Sequence, residues 1–274
     1  MIPGLVSIVI PTWNSAQLLG QTLDSIKAQT YRDIETIVVD RGSRDGTLEI
    51  AKKYTDRVFV YGRERVEQKH FGFSKVRGEF YMNHGSDLVL PPTAIEESVR
   101  LLNDGWDGVE IDWLPDPSKG FWARVRVLEM LCYINRQTTF RPNITRTELF
   151  RKAGGYNLGV KVAGDDYQIK LHFDRMGARC TKAEALMMHT GEPRNLSSWV
   201  RKDVYYGKSL QPLWDSEGNA GKLAFAPPLR RYWRNRDILL RAGPKMFWAF
   251  AFYRSVRYMC GTIGLVLAKL GDGL

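Results

Sequence analysis

Cysteine is scarce: Cys132, Cys180 and Cys260 are the only three in 274 residues. They are widely spaced and odd in number, which excludes a disulfide framework or a metal-type cluster and implies reduced, buried thiols in a cytosolic protein. A glycine-rich phosphate loop is missing too. The first apolar run leads into Pro11-Thr12-Trp13-Asn14-Ser15, which excludes a dinucleotide fingerprint, and no P-loop occurs anywhere. Long apolar runs are also absent. The longest uncharged stretch of the C-terminal tail, Tyr258 to Ala268, falls short of the roughly 20 residues that a membrane span needs. At the other end Met1 to Gly4 runs straight into a strand, with no signal peptide. Acidic residues are in deficit, 30 against 40 Lys and Arg, for a net charge of +10. That balance points to an anionic partner: nucleic acid, a phosphorylated small molecule or an acidic membrane surface.

What is present suffices for a core. Hydrophobic residues make up 44% and charged residues 26%, an ordinary globular composition, and the length allows one large domain or two small ones. Leu5 to Pro11 is a continuous apolar run closed by proline, which predicts a strand buried on both faces. Leu18, Leu19, Leu23 and Ile26 follow at helical spacing. Ile34 to Asp40 is a second strand ending in a carboxylate, then a Gly42–Gly46 turn and a short helix from Thr47 to Tyr54. Arg57 to Tyr61 and Gly78 to His84 are further strands, and Thr93 to Leu102 is a helix behind Pro91 and Pro92. Strands alternating with helices imply a mostly parallel sheet whose ligand sits at the carboxyl ends of the strands. Phe121 to Ile134 has helical periodicity and carries Arg124 and Arg126; it reads as a core helix.

Two features carry chemistry. Asp165 and Asp166 follow a glycine-rich turn, Ala153 to Asn157, and open a helical run from Gln168 to Met176. A helix start favours carboxylates, so Asp165 reads either as an N-cap or as one member of a catalytic pair. Asp87, in Gly85-Ser86-Asp87, stands at a strand end in front of a proline-started helix and reads as a turn former. His189 closes the apolar run Leu186-Met187-Met188, and His84 at a strand end is a structural residue or a substitute ligand.

The order of these pieces, Val6–Asn14, Ile34–Thr47, Gly78–Pro92, the Gly154-Gly155-Tyr156 turn, Gly164–Ile169 and a later histidine, resembles a family 2 glycosyltransferase of the GT-A fold. The resemblance covers roughly residues 5–215, and it is the combination of motifs that is specific. It implies an α/β fold: a Rossmann-like, mostly parallel sheet flanked by helices, with a C-terminal helical basic and aromatic extension. It further implies that Asp40 holds the nucleobase and ribose of a nucleotide-diphosphate-sugar donor, with Pro11, Thr12 and Asn14 lining the same pocket. The family's next acidic residue is replaced here by Arg41. Lys69 maps onto the basic residue beneath the pyrophosphate, against the commoner reading of a solvated lysine. The Asp-x-Asp metal motif aligns with Gly85-Ser86-Asp87. Its first carboxylate is gone, and Asp87 with His189 is left to bind Mn²⁺ or Mg²⁺ beside Ser86 and the donor.

Inverting transfer needs a base for the acceptor proton. The resemblance assigns it to Asp166, with Asp165 orienting it, and two adjacent carboxylates are expected to raise each other's pKa. Arg201 and Lys202 are candidate diphosphate contacts or part of a solvated basic helix.

The domain reading is a nucleotide-sugar-binding half over 1–112, an acceptor-binding and catalytic half over 113–215, and a linker with membrane-associating helices over 216–274. Residues 211–228 read as linker. In the tail Arg230, Arg231, Arg234, Arg236, Arg241, Lys245, Arg254, Arg257 and Lys269 alternate with large aromatics. That pattern predicts an interfacial helix pair on an anionic bilayer, with a helical cap on the catalytic domain or a dimer face as alternatives. Nucleic acid is disfavoured, because no stacking-platform motif is visible. The expected function is transfer of a sugar to a glycan or lipid-linked acceptor by an enzyme held peripherally on the cytoplasmic face of a membrane. A non-catalytic nucleotide-sugar-binding scaffold on the membrane is the alternative.

Overall fold

Burial of the β1 strand (Ile2–Thr12) is continuous from Val6 to Thr12, as its unbroken apolar run requires. The structure, a computed structural model, describes residues 1–134, 141–159, 164–193, 195–224 and 228–271. After β1 come α1 (Ala16–Lys27), β2 (Ile34–Asp40), α2 (Thr47–Ala51), β3 (Val58–Val60), α3 (Arg65–Ser74) and β4 (Gly78–Asn83). Leu19, Leu23 and Ile26 form the inward stripe of α1, packed beneath Val6, Ile8 and Ile10. There follow β5 (Leu88–Val89), α4 (Ala94–Asn103), β6 (Gly108–Pro115), α5 (Phe121–Ile134), β7 (Ile144–Arg146), α6 (Thr147–Lys152), α7 (Asp165–Arg175) and β8 (Cys180–His189). The remainder is helical: α8 (Leu196–Lys208), α9 (Gln211–Ala224), α10 (Leu229–Arg234), α11 (Arg236–Arg241) and α12 (Pro244–Lys269).

The sheet runs β3-β2-β1-β4-β7-β6-β8-β5. β1, β2, β3 and β4 are parallel, with Thr12 opposite Asp40, so the carboxyl ends of these strands share one edge. β7 pairs antiparallel with β4 and β6, and β5 with β8, setting Leu88 opposite His189. This is the α/β architecture that the alternation of elements predicts, with antiparallel strands added on one side of a parallel set.

The chain divides into two compact units. The first holds residues 1–113, 141–159 and 165–191, with the sheet core on one face and a second core of Val9, Ile37, Val39, Tyr81, Phe150, Tyr156 and Phe173 on the other. The second holds α5 and the helices from α8 onward, around Val125, Leu128, Trp199, Leu239, Phe250 and Tyr253. Within it α8 and α12 meet backbone to backbone. A Cβ on Gly207 would overlap the Gly261 carbonyl, and one on Gly264 the Val204 carbonyl, so glycine is required at that crossing.

Several expectations are corrected. The stretch 211–228 is not a linker over its described part: it forms α9, anchored by the fully buried Leu213 and kinked at Gly218 (φ 56°, ψ −131°), while 225–227 lie outside the described residues. Among the described residues the tail holds three helices, not a pair. Its basic residues are not uniformly superficial either, since Arg254 and Arg257 turn inward to Glu129 and Asp203, carboxylates supplied by α5 and α8. Cys132 and Cys260 are buried free thiols, whereas Cys180 is only half-buried.

Candidate active site

The carboxyl ends of β1 and β2 are tied by one side chain. Asp40 is fully buried, and its Oδ2 accepts from Thr12 Oγ1 and Ser43 Oγ, both at 2.7 Å. Its Oδ1 accepts from the backbone N–H of Gly42 at 2.8 Å and of Ser43 at 2.6 Å. A carboxylate has about four lone-pair sites, and here the protein fills all of them. Asp40 therefore shapes the 41–43 loop. Asn14, at φ 48°, donates its backbone N–H to Ser43 Oγ (2.7 Å) and accepts from the Arg44 N–H on Oδ1 (3.2 Å). Ser15 Oγ lies 3.1 Å from Ser86 Oγ, joining this loop to the residue before Asp87. From α3, Gln68 Nε2 donates to the carbonyls of Thr12 (2.8 Å) and Val39 (2.6 Å). Thr12, Asn14, Asp40 and Ser86 are thus brought together, with Pro11 buried in β1 behind them.

The next residue of α3 reaches elsewhere. Lys69 Nζ donates to Asp165 Oδ2 at 2.6 Å, and Arg65, one turn earlier on the same face, lies 3.5 Å from Oδ1. Lys69 and Asp165 are both buried. Burial alone would favour the neutral acid, but the cations of Lys69 and Arg65 outweigh it and hold Asp165 below its ordinary carboxylate range. For Asp165 this reverses the expectation that its acidic neighbour raises it: the two side chains sit in different surroundings, and a lysine neutralises the inner one. α7 begins at Asp165 itself, so this residue is the first of the helix and not its cap. Asp166 faces out, about half exposed, with Oδ2 3.0 Å from Arg141 Nη1. Arg141 is steadied by Glu110, whose Oε2 accepts its backbone N–H at 2.9 Å.

The β5–β8 register brings the remaining pair together. His189 Nε2 lies 3.2 Å from Asp87 Oδ2, and the His189 ring packs against Trp113 with centroids 4.8 Å apart. The Asp87 carbonyl accepts from the Thr190 N–H at 2.9 Å. Gly191 presses on the Asp87 carboxylate, and a Cβ there would overlap Oδ2. A Cβ on Gly85, where the Asp-x-Asp pattern has its first carboxylate, would lie 2.9 Å from Asp87 Oδ1. Among the described residues no group of three or more His, Cys, Asp or Glu side chains is arranged to hold a metal ion; this is a two-residue arrangement. His84 is structural. Burial pulls its pKa down to about 4, and Nε2 donates to the Leu88 carbonyl at 3.1 Å.

Arg201 and Lys202 lie on α8 in the second unit, Arg201 exposed and Lys202 over the rings of Trp199 and Tyr206, each 5.8 Å away. Sequence reasoning missed Arg65, Arg141, Trp113 and Gly191. Arg65 was readable, because it precedes Lys69 by one helical turn. Arg141 carries no such signal. Arg41, standing where the family has an acid, lies over the exposed Trp13 ring (4.6 Å) and 3.8 Å from Glu64.

Comparison with known proteins gives the chain a family. Residues 7–163 match the profile described as Glycosyl transferase family 2. An uncharacterized glycosyltransferase of Rickettsia typhi is 36% identical over 102 residues, 36% of this chain and 32% of that protein. A cholesterol galactosyltransferase of Borreliella burgdorferi is 31% identical over 97 residues, 33% of this chain and 27% of its own length. This chain thus spans about a third of the length of these relatives. Among solved structures, a mannosyltransferase from Pyrobaculum calidifontis in complex with GDP-Man and Mn²⁺ superposes with a TM-score of 0.65 at 18% identity, over 96% of this chain and 86% of that one. S. aureus TarS 1–349 in complex with UDP gives 0.54 at 17% identity, over 97% and 92%. At such identities the structures speak for the fold, while the profile spans more than half of the chain. On that profile and that likeness of fold, the chain belongs to glycosyltransferase family 2 and has its GT-A fold.

Proposed function

We propose that the chain is an inverting glycosyltransferase that moves a sugar from a nucleotide-diphosphate-sugar to a lipid-linked or membrane-bound acceptor. The observation that carries this reading is the division of roles in the acidic pair. Asp165 is neutralised by Lys69 inside the fold, and Asp166 stands open at the first turn of α7. A base must reach the acceptor proton, and Asp166 is the member of the pair free of a buried partner.

Residues 1–112 bind the donor, with Pro11, Thr12, Asn14 and Ser86 lining the pocket and Asp40 holding the loop that faces it. Asp166 takes the proton of the acceptor hydroxyl as that oxygen forms its bond to the anomeric carbon. The bond from that carbon to the diphosphate oxygen breaks, and the nucleoside diphosphate leaves with the electron pair. Asp165 fixes the helix start that presents Asp166. Lys69, spent on Asp165, supports the donor side through that pair and not as a free cation.

Asp87 and His189 fit a divalent cation, Mn²⁺ or Mg²⁺. One carboxylate and one imidazole, with their ligating atoms 3.2 Å apart and Asp87 one-third exposed, suit an ion that takes its other ligands from phosphates and water. Such an ion supplies neutralisation of charge on the leaving diphosphate. The Mn²⁺ and GDP-Man named for the archaeal mannosyltransferase support this reading.

Gly85, in place of a carboxylate, favours a second reading: a nucleotide-sugar-binding scaffold without turnover. Thermal shift with a panel of nucleotide-sugars, with Mn²⁺ or with EDTA, followed by donor hydrolysis, separates the two. A metal-dependent shift with turnover is expected. A shift without hydrolysis establishes the scaffold, and no shift with any donor overturns both.

A further inference from the structure

Helix α12 is apolar on both faces, with Phe250, Tyr253 and Cys260 buried on the inner one. A helix on a protein in water normally turns its apolar stripe inward and its charges outward. Here the two mid-helix cations face in. Arg254 pairs with Glu129 and donates to the Tyr258 hydroxyl at 2.6 Å, and Arg257 holds both oxygens of Asp203 at 2.8 Å. Both carboxylates are buried. The cations of Arg254 and Arg257 outweigh burial and keep Glu129 below its ordinary range.

The outward face carries Trp248 (69% exposed), Phe252 (51%), Met259 (58%), Ile263 (44%), Val266 (47%) and Leu270 (75%). Their spacing of three, four or seven residues keeps them on one side of the helix. From Trp248 to Leu270 the stripe runs about 33 Å at ~1.5 Å per residue. Its only exposed charges are Lys245 and Lys269, near its two ends. Neighbouring α10 and α11 add exposed Trp233 and Leu240 beside exposed Arg234, Arg236 and Arg241. Between Leu229 and Gly271 the one acidic side chain is Asp237.

Charge decides what covers this face. A second copy would set Lys245 against Lys245 or Lys269 in either orientation of the helices, and α12 has no carboxylate to pair with them. An anionic bilayer supplies that complement: phosphates for the cations and an acyl boundary for the apolar stripe. No helix among the described residues is long and apolar enough to cross a membrane, which leaves a helix lying in the interface.

We propose that α12 lies along an anionic bilayer, with the Trp248–Leu270 stripe at the acyl boundary and Lys245 and Lys269 among the headgroups. This rests on the membrane-bound acceptor proposed above and gives it a docking face.

The test is co-sedimentation of the full chain with vesicles of phosphatidylcholine alone and of phosphatidylcholine mixed with phosphatidylglycerol. Trp248→Ser/Phe252→Ser is compared with wild type, and Ile263→Glu serves as a second, distant variant. Wild type should partition into the mixed vesicles, and each variant should bind about tenfold more weakly or worse, with its donor-induced thermal shift unchanged. Equal binding by wild type and variants overturns the stripe while leaving membrane association standing. No binding by wild type, or a dimer that either variant dissociates, overturns the bilayer as the occupant. Loss of the donor shift in all three proteins sinks the transferase reading instead.

Discussion

Lys69 Nζ sits 2.6 Å from Asp165 Oδ2, a buried ion pair closed across 96 residues of chain. Removing one partner strands the other as a buried charge, which costs roughly 3–5 kcal/mol, whereas replacing both with apolar residues of similar volume is often close to neutral. Lys69→Met and Asp165→Leu should therefore each lower the urea midpoint sharply, and the double variant should recover most of the loss. Additive losses in the double-mutant cycle would show that the two side chains are not energetically coupled.

Asp166 is one residue away and should behave in the opposite manner. Its ion pair with Arg141 is solvent-exposed, and such pairs contribute about 0–1 kcal/mol. Asp166→Asn should leave the urea midpoint nearly unchanged and the donor thermal shift intact, while kcat falls roughly 10²–10⁴-fold, the range of general-base catalysis. A fall in stability with only a modest change in kcat would move the base elsewhere.

How much of this was legible before folding differs from residue to residue. Val6–Ile10 and Ile37–Asp40 announce parallel strands because a strand buried on both faces needs an unbroken apolar run, and the structure places both inside the sheet, paired on each side. The direction of a charged side chain is another matter. Arg254 and Arg257 looked like headgroup contacts because their partners, Glu129 and Asp203, lie on other helices and leave no local trace. Asp165 likewise read as a cap or as the residue that orients the base, since nothing near it in sequence announces Lys69. The Asp87–His189 pairing was within reach, because the resemblance supplied both residues and only the β5–β8 register had to bring them together.

Gly85 offers a gain-of-function test. Its backbone is not in the left-handed region, and a Cβ there would point at Asp87 Oδ1 from 2.9 Å. That contact is with the end of a side chain, which can turn. Gly85→Asp should restore a second carboxylate and tighten Mn²⁺ binding about tenfold or more, since ligand charge count sets the affinity of such sites. Gly85→Ala, which crowds Asp87 without adding a ligand, should weaken it. Isothermal titration with Mn²⁺ in the presence of the nucleoside diphosphate reads both. Unchanged affinity in the two variants would mean that Asp87 does not bind the cation.

His84 predicts an acid-sensitive stability. Burial pulls its pKa from 6.5 to about 4, against weaker opposing effects of the Leu88 carbonyl and the Asp87 charge. In the unfolded chain the imidazole takes up its proton near pH 6.5, but in the folded chain only near pH 4. Between those values the unfolded state binds more protons, so stability rises with pH across the window. The contribution is fully present above pH 6.5 and is lost as pH falls towards 4. A shift of this size corresponds to about 3 kcal/mol at 1.36 kcal/mol per unit. Urea unfolding at a series of pH values should show this loss in wild type, and His84→Gln, which has no proton to take up there, should stay flat through the same window until the carboxylates titrate. An equal loss in His84→Gln would place the acid sensitivity in another group and would mean that His84 titrates freely in the fold.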